Sequence, residues 1–241
     1  MVRDMSEEAT TADRRAALEA AVRAAGLSPR GVVRLGREDA VAALPDGRPA
    51  VAALLVGWRG RDGWAAFAGS DERRDGRADP LDRWSERVIG GLAAGFGGVA
   101  VFPFAGPPYQ PFLRWGMRAE GLTASPLGFG VDAEVGLWHG FRGAIVTAED
   151  LGPEAAAQTS PCSTCAGRPC LSACPANAFD AAGYDVAACR RFLESHAGGL
   201  CRTDGCRARD ACPVGRRHRY AADQIRFLMS AFRASPPETP A

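Results

Sequence analysis

The chain has 241 residues, 46% of them hydrophobic, and a formal net charge of +1. That length and apolar content suit one large domain, or a domain plus a small module. So balanced a charge supplies no overall field for nucleic acid, which is not expected as a ligand.

The charged N-terminus "MVRDMSEEATTADRR" does not read as a signal peptide. No apolar run approaches the roughly 18–20 residues needed to span a bilayer. A cytoplasmic protein without membrane contact is expected. "TADRRAALEAAVRAAGL" has helical spacing, with Thr11 as N-cap and Gly26 as stop. "RPAVAALLVGW" suits a buried strand. "DPLDRWSERVIGGLAAGF" predicts a helix with Asp79 at N-cap and Pro80 at N1. "GVAVFPF" reads as a strand, and "YQPFLRWGMRAEGL" as a short helix entered through Pro111. "FGVDAEVGLWHGFRGAIVTAED" reads as a hairpin or two successive strands. This alternation predicts an α/β sandwich over residues 1–150. "LGPEAAAQTSP" (151–161) reads as a linker. A small, mainly helical domain is expected over 162–233, with helices in "DVAACRRFLESHA", capped by Asp185, and "RYAADQIRFLMSAFRA". The tail 234–241 reads as disordered.

All eight cysteines lie between Cys162 and Cys212, and the first 161 residues have none. In a reducing cytosol such a cluster reads as metal ligands rather than disulfides. The spacings are Cys162-x2-Cys165-x4-Cys170-x3-Cys174-Pro175, an isolated Cys189, and Cys201-x4-Cys206-x5-Cys212-Pro213. Bacterial ferredoxins use C-x2-C-x2-C-x3-C-P, and the fourth Cys of each run ligates the other cluster. That crossing divides the thiols with none left over. Cys162, Cys165, Cys170 and Cys212 form one set of four; Cys174, Cys189, Cys201 and Cys206 form the other. Two 4Fe–4S clusters are the expected cofactors. The alternative is zinc, two sites of four thiolates in an interaction protein, although zinc sites have no preference for a closing Cys-Pro.

The segments "CSTCAGRPCLSACP", "YDVAACRRFL" and "CRTDGCRARDACP" resemble the dicluster ferredoxin domain of epoxyqueuosine reductases and corrinoid reductive dehalogenases. The stretches "GPPYQPFLRWGMRAEGL", "SPLGFGVD" and "GLWHGFRGAIVT" are similar to cobalamin-processing proteins of nitroreductase-like fold. The resemblance implies electron transfer through the Cys module to a cofactor held by the first domain. Cobalamin comes first and flavin mononucleotide second, and a corrinoid-dependent reductase is the enzymatic alternative. It also implies a flavodoxin- or ferredoxin-like electron donor and leaves room for a small-molecule substrate. There are departures. The chain has no Asp-x-His-x-x-Gly motif, no His-Pro pair after "SPLG", and no tRNA-holding helical repeats before Ala241.

Tyr109, Phe112 and Trp115 are candidates to wall such a planar cofactor, with Ser125, Gly128 and His139 on its rim. The same aromatics equally suit a core patch, His139 a structural strand residue, and "SPLG" a plain turn. Arg114, Arg118 and Arg142 could bind phosphate or propionate groups, or form surface pairs. The basic run Arg207, Arg209, Arg216, Arg217 and Arg219 could dock an acidic donor or be a solvated face. "IGGLAAGFGG" neither matches G-x-G-x-x-G nor follows a strand, so no dinucleotide fingerprint is read there. No catalytic residue is singled out.

Overall fold

The computed structural model describes residues 5–180 and 183–234. The last seven residues of the expected disordered tail lie outside them. The described chain forms two compact units, one from residues up to 122 together with 139–158, the other from 123–138 together with the chain from 159 onward.

In chain order the first unit comprises α1 (Met5–Ala24), β1 (Ser28–Arg34), β2 (Ala52–Arg59), α2 (Trp64–Ala68), α3 (Asp71–Arg74), α4 (Pro80–Gly95), β3 (Val99–Val101) and α5 (Phe112–Glu120). The chain then passes through β4 (Thr123–Ala124) and β5 (Gly130–Val131) of the second unit and returns as β6 (His139–Thr147). The sheet order is β1-β2-β6-β3, and every neighbouring pair is antiparallel. The unit is therefore a mixed helix-and-sheet fold without parallel βαβ pairing. Side chains alternate across the sheet. Val33, Ala53, Leu55, Ala144 and Val146 pack with Phe112, Trp115 and Ala119 of α5. A side chain at Gly143 would meet Ile89 of α4, which places α4 on the opposite face. β2 is buried from Ala52 to Trp58 because helices cover both faces of the sheet.

Several elements differ from the sequence expectation. α1 begins at Met5, so Thr11 lies inside it; the Glu- and Ala-rich "SEEATTADRR" favours continued helix. Pro80 stands at N1 of α4, yet Asp79 has φ 49 and makes no side-chain cap bond. "SPRGVVR" forms the edge strand β1, which sequence reading missed because Pro29 and Gly31 argue against strand. "FGVDAEVGLWHGFRGAIVTAED" is not one hairpin: β5 and β6 belong to different units. Residues 151–158 are no free linker. Glu154 accepts from the Arg34 backbone N–H at 2.9 Å and pairs with Arg118 at 2.7 Å, tying the segment to the first unit.

The second unit continues with α6 (Pro169–Ser172), β7 (Phe179–Asp180), β8 (Gly183–Tyr184), α7 (Val186–Glu194), α8 (Gly199–Asp204), α9 (Arg207–Asp210) and α10 (Ala222–Ala234). Asp185 caps α7, accepting from the Ala188 N–H at 2.8 Å, as its position ahead of an apolar helix predicts. The segment 123–138, read from sequence as part of the first domain, belongs here. Leu127, Val131 and Leu137 share a buried cluster with Cys170, Cys174 and Cys212, and that apolar contact decides its allegiance. Among the described residues, no helix is long and apolar enough to cross a membrane.

Candidate metal centre

All eight cysteines lie in the second unit as free thiols. Cys170, Cys174, Cys201 and Cys212 are buried, and the others are half-buried. Short elements carry them: Cys170 on α6, Cys189 on α7, Cys201 on α8, and Cys206 just before α9. Helices this short have little stability of their own, so a shared centre suits what they are built around.

The electrostatic couplings among the thiols fall into two sets, although Cys170, Cys174 and Cys212 share one apolar cluster. Burial pushes the Cys170 thiol up, and Cys212, Cys162 and Cys165 push it further. Burial likewise raises Cys212, which also feels Cys162 and Cys165. Burial raises Cys201 and Cys206, and both feel Cys189 and Cys174. Cys189, raised first by burial, feels Cys174. Each of these couplings stays within its own set. Close neutral thiols in apolar surroundings have raised pKa values because each additional thiolate is repelled by its neighbours. A cationic metal centre inverts that balance and takes all of them as thiolates.

Backbone and side-chain donors already point at the sulfurs. Cys174 Sγ accepts from the Ala178 N–H at 3.5 Å. Cys201 accepts from the Arg207 N–H, Cys206 from those of Ala208 and Arg209, and Cys212 from that of Val214. The Tyr184 hydroxyl donates to Cys189, and the Tyr184 ring stacks on Phe179 at 4.6 Å. Arg207, Arg216 and Arg190 place positive charge near Cys201, Cys212 and Cys189 respectively. Among the described residues, no three His, Cys, Asp or Glu side chains close on one point as a single bound ion would need.

Residues 132–138 bring a second loop to this centre. Asp132 Oδ1 accepts from the Glu134 and Val135 N–H groups at 2.7 and 2.8 Å, turning the chain. The Arg209 guanidinium donates to the Leu137 carbonyl at 2.8 Å and lies 4.8 Å above the Trp138 ring. Gly136 and Gly215 meet at the closest point. A Cβ at Gly136 would lie 2.3 Å from the Val214 carbonyl oxygen, and Gly136 has φ +62. Gly136→Ala is therefore expected to push this loop off the Cys212–Val214 turn. The left-handed backbone alone costs roughly 1–2 kcal/mol for a non-glycine residue, before the clash. Thermal unfolding should show a clear loss of stability, and an unchanged melting temperature would mean the loop does not brace the turn.

The six residues expected to line a cofactor divide between the two units. Trp115 is 0% exposed and Phe112 6%, their rings 5.2 Å apart in the core under α5. They fill space between helix and sheet and leave no face for a planar ligand. Tyr109 is 62% exposed. Ser125 and Gly128 lie in the other unit, where the Gly128 N–H donates to the Ser125 carbonyl at 3.0 Å in a turn. The His139 ring lies edge-on to Phe141 at 6.1 Å. The arginines are engaged: Arg114 and Arg118 with Asp39, and Arg142 with Asp82. Sequence reading missed Asp39, the acceptor at the centre of this group. It accepts from Trp115 Nε1 at 2.8 Å.

Burial pushes the Asp39 carboxyl up, but the Gly36 N–H, Trp115 N–H and Arg118 outweigh it, and its pKa lies below the ordinary 3.8. A depressed carboxyl stabilises the fold fully above its unfolded pKa, and this contribution fades as pH falls through the folded value. Asp39→Asn should therefore melt lower at pH 7 and lose less stability than wild type between pH 5 and the acid limit. Parallel melting curves over that range would contradict the role.

No family model and no curated protein matches the chain. Among solved structures, the crystal structure of a C. elegans B12-trafficking protein CblC, a human MMACHC homologue, is similar at 12% identity, covering 95% of this chain and 97% of that one, with a TM-score of 0.49. A likeness at that level fixes neither a site nor a cofactor.

Proposed function

We propose that the Cys-rich unit binds two 4Fe–4S clusters and passes single electrons. One observation carries the reading. The electrostatic couplings join Cys170 and Cys212 with Cys162 and Cys165, and Cys189, Cys201 and Cys206 with Cys174, the division that crossed dicluster ligation would ask for. The donor set fits: four thiols per set, N–H groups aimed at sulfur, and an apolar surround from Leu127, Val131 and Leu137. Tetrahedral zinc, with Zn–S near 2.3 Å, needs thiolates about 3.8 Å apart. A cubane, with one thiolate on each of four irons, asks for a wider cage, and the Cys-Pro that closes each cysteine run is a ferredoxin feature rather than a zinc one.

When bound, the clusters supply one-electron chemistry, and the protein supplies the rest. The eight thiolates would hold the iron. Backbone N–H groups and the Tyr184 hydroxyl stabilise negative charge on the sulfurs, a recognised determinant of cluster potential. Arg190, Arg207 and Arg216 offset the charge of the thiolates. Leu127, Val131 and Leu137 give Cys170, Cys174 and Cys212 an apolar surround. A flavodoxin- or ferredoxin-like protein is the electron donor in this reading. For a corrinoid or flavin, the residues named from sequence do not fit, and no step is assigned to either. The test is anaerobic reduction of the reconstituted protein by a reduced flavodoxin, followed by visible absorbance. Bleaching of the charge-transfer band is expected. A band that neither flavodoxin nor dithionite bleaches would remove the redox function.

A further inference from the structure

We propose that the Cys-rich unit has a binding site for a small oxyanion, a phosphate- or carboxylate-bearing molecule, in an arginine-walled cavity. The cavity has a volume of about 490 Å³ and is walled by Trp138, Arg207, Asp210, Arg216 and Arg219. Ala173 and Ala211 complete it. Ala173, Arg207 and Ala211 of the wall are the chain neighbours of Cys174, Cys206 and Cys212. The size falls within the range of roughly 300–1,000 Å³ typical of ligand pockets, with room beyond a single anionic headgroup.

The charge of the wall gives the ligand class. Three guanidiniums face one carboxylate, and that carboxylate, Asp210, is already held by Arg219 at 2.6 Å. Arg207 and Arg216 make no ion pair among the described residues, and both are exposed at the cavity. Two guanidiniums on one cavity, neither in an ion pair with a carboxylate, present the forked donors that carboxylate and phosphate accept best. The back of the cavity is fixed in advance. Trp138 is 3% exposed, held edge-on by Tyr220 at 5.3 Å and covered by Arg209. Arg219 is tied to the Asp204 carbonyl at 2.8 Å as well as to Asp210. A preorganised wall lowers the ordering cost of binding. Arg209 and Arg217 stand apart from this role: Arg209 is engaged by the Leu137 carbonyl and the Tyr220 hydroxyl, and Arg217 pairs with Glu134 at 3.3 Å. The basic run thus divides into bracing arginines and two available ones.

The site depends on the cavity and not on the identity of the metal, so it can fail while the iron–sulfur reading stands. The test is calorimetric titration of the protein as isolated, its iron measured in parallel, with inorganic pyrophosphate, with citrate and with poly-aspartate at constant ionic strength. Saturable binding of pyrophosphate or citrate at one per chain is expected, and which one binds tells phosphate from carboxylate. An Arg207→Ala/Arg216→Ala double variant should bind at least about tenfold more weakly, as loss of charge-assisted bonds implies, while Arg217→Ala binds as wild type. In wild type, the small anion that binds should protect Arg207 and Arg216 from phenylglyoxal, read by mass spectrometry. That arm remains decisive if the double variant does not fold. No saturable small-anion binding, no protection, or equal affinity in a folded double variant would overturn the site. Binding of poly-aspartate alone would overturn it in favour of an acidic protein surface.

Discussion

Cys212→Ala is expected to remove the cluster held by Cys162, Cys165 and Cys170 and to spare the other, although Cys212 closes the second cysteine run in sequence. Cys174→Ala is expected to do the reverse. Each variant should retain about four irons of about eight, since each set ligates one cubane. The reason is electrostatic. Cys212 lies within electrostatic reach of Cys162 and Cys165, and Cys174 within reach of Cys189, Cys201 and Cys206. Removal of one thiolate leaves an iron without a protein ligand in a buried site, where few other donors can replace it. Electron paramagnetic resonance of the reduced variants should show which cluster survives. If Cys212→Ala loses the cluster of Cys201 and Cys206 instead, the crossing is wrong. Cys189→Ala should also lose iron. Full retention would make Cys189 a packing residue of α7 and leave the second cluster in need of another ligand.

Trp115→Ala is expected to cost about 3–5 kcal/mol, the usual range for truncating a large buried aromatic. Trp115 is fully buried. It packs between α5 and the sheet against Phe112, Leu55 and Val146, and its indole N–H is a donor to buried Asp39. Alanine leaves a cavity and also takes one donor from a carboxylate that depends on it. Differential scanning calorimetry should show the first unit melting roughly 10 °C lower, taking about 2–4 °C per kcal/mol for a domain near this size. Trp115→Phe should recover part of the packing but not the hydrogen bond. A shift of only a degree or two would mean that the ring is not sealed in the core, and the case against a ligand wall there would fall with it.

The proposed metal ligands stand out in sequence because their information is local: spacing, and a proline after two of them. The helices around Trp115 and Asp185 were legible for a similar reason, from apolar period and cap. What the sequence concealed was long-range. "PYQPFLRW" has the composition of a ligand wall, and only the partners of Trp115, which come from β1, β2 and β6, show that it is core. Asp39 is one acid among many until Trp115 and Arg118 arrive from about 76 and 79 residues away. The allegiance of 123–138 was equally hidden. Nothing in "SPLGFGVD" marks it as the apolar cover of cysteines some 40 residues later, since Leu127 and Val131 suit either core. The basic run also needed coordinates, because five similar arginines separate into braces and available donors only through their partners.

The central claim is tested most directly by metal and sulfide analysis of the protein purified without oxygen. Two 4Fe–4S clusters predict about eight irons and eight acid-labile sulfides per chain, with broad absorbance near 400 nm (the count follows from two cubanes). Two zinc ions per chain, no labile sulfide and a colourless solution would contradict the account.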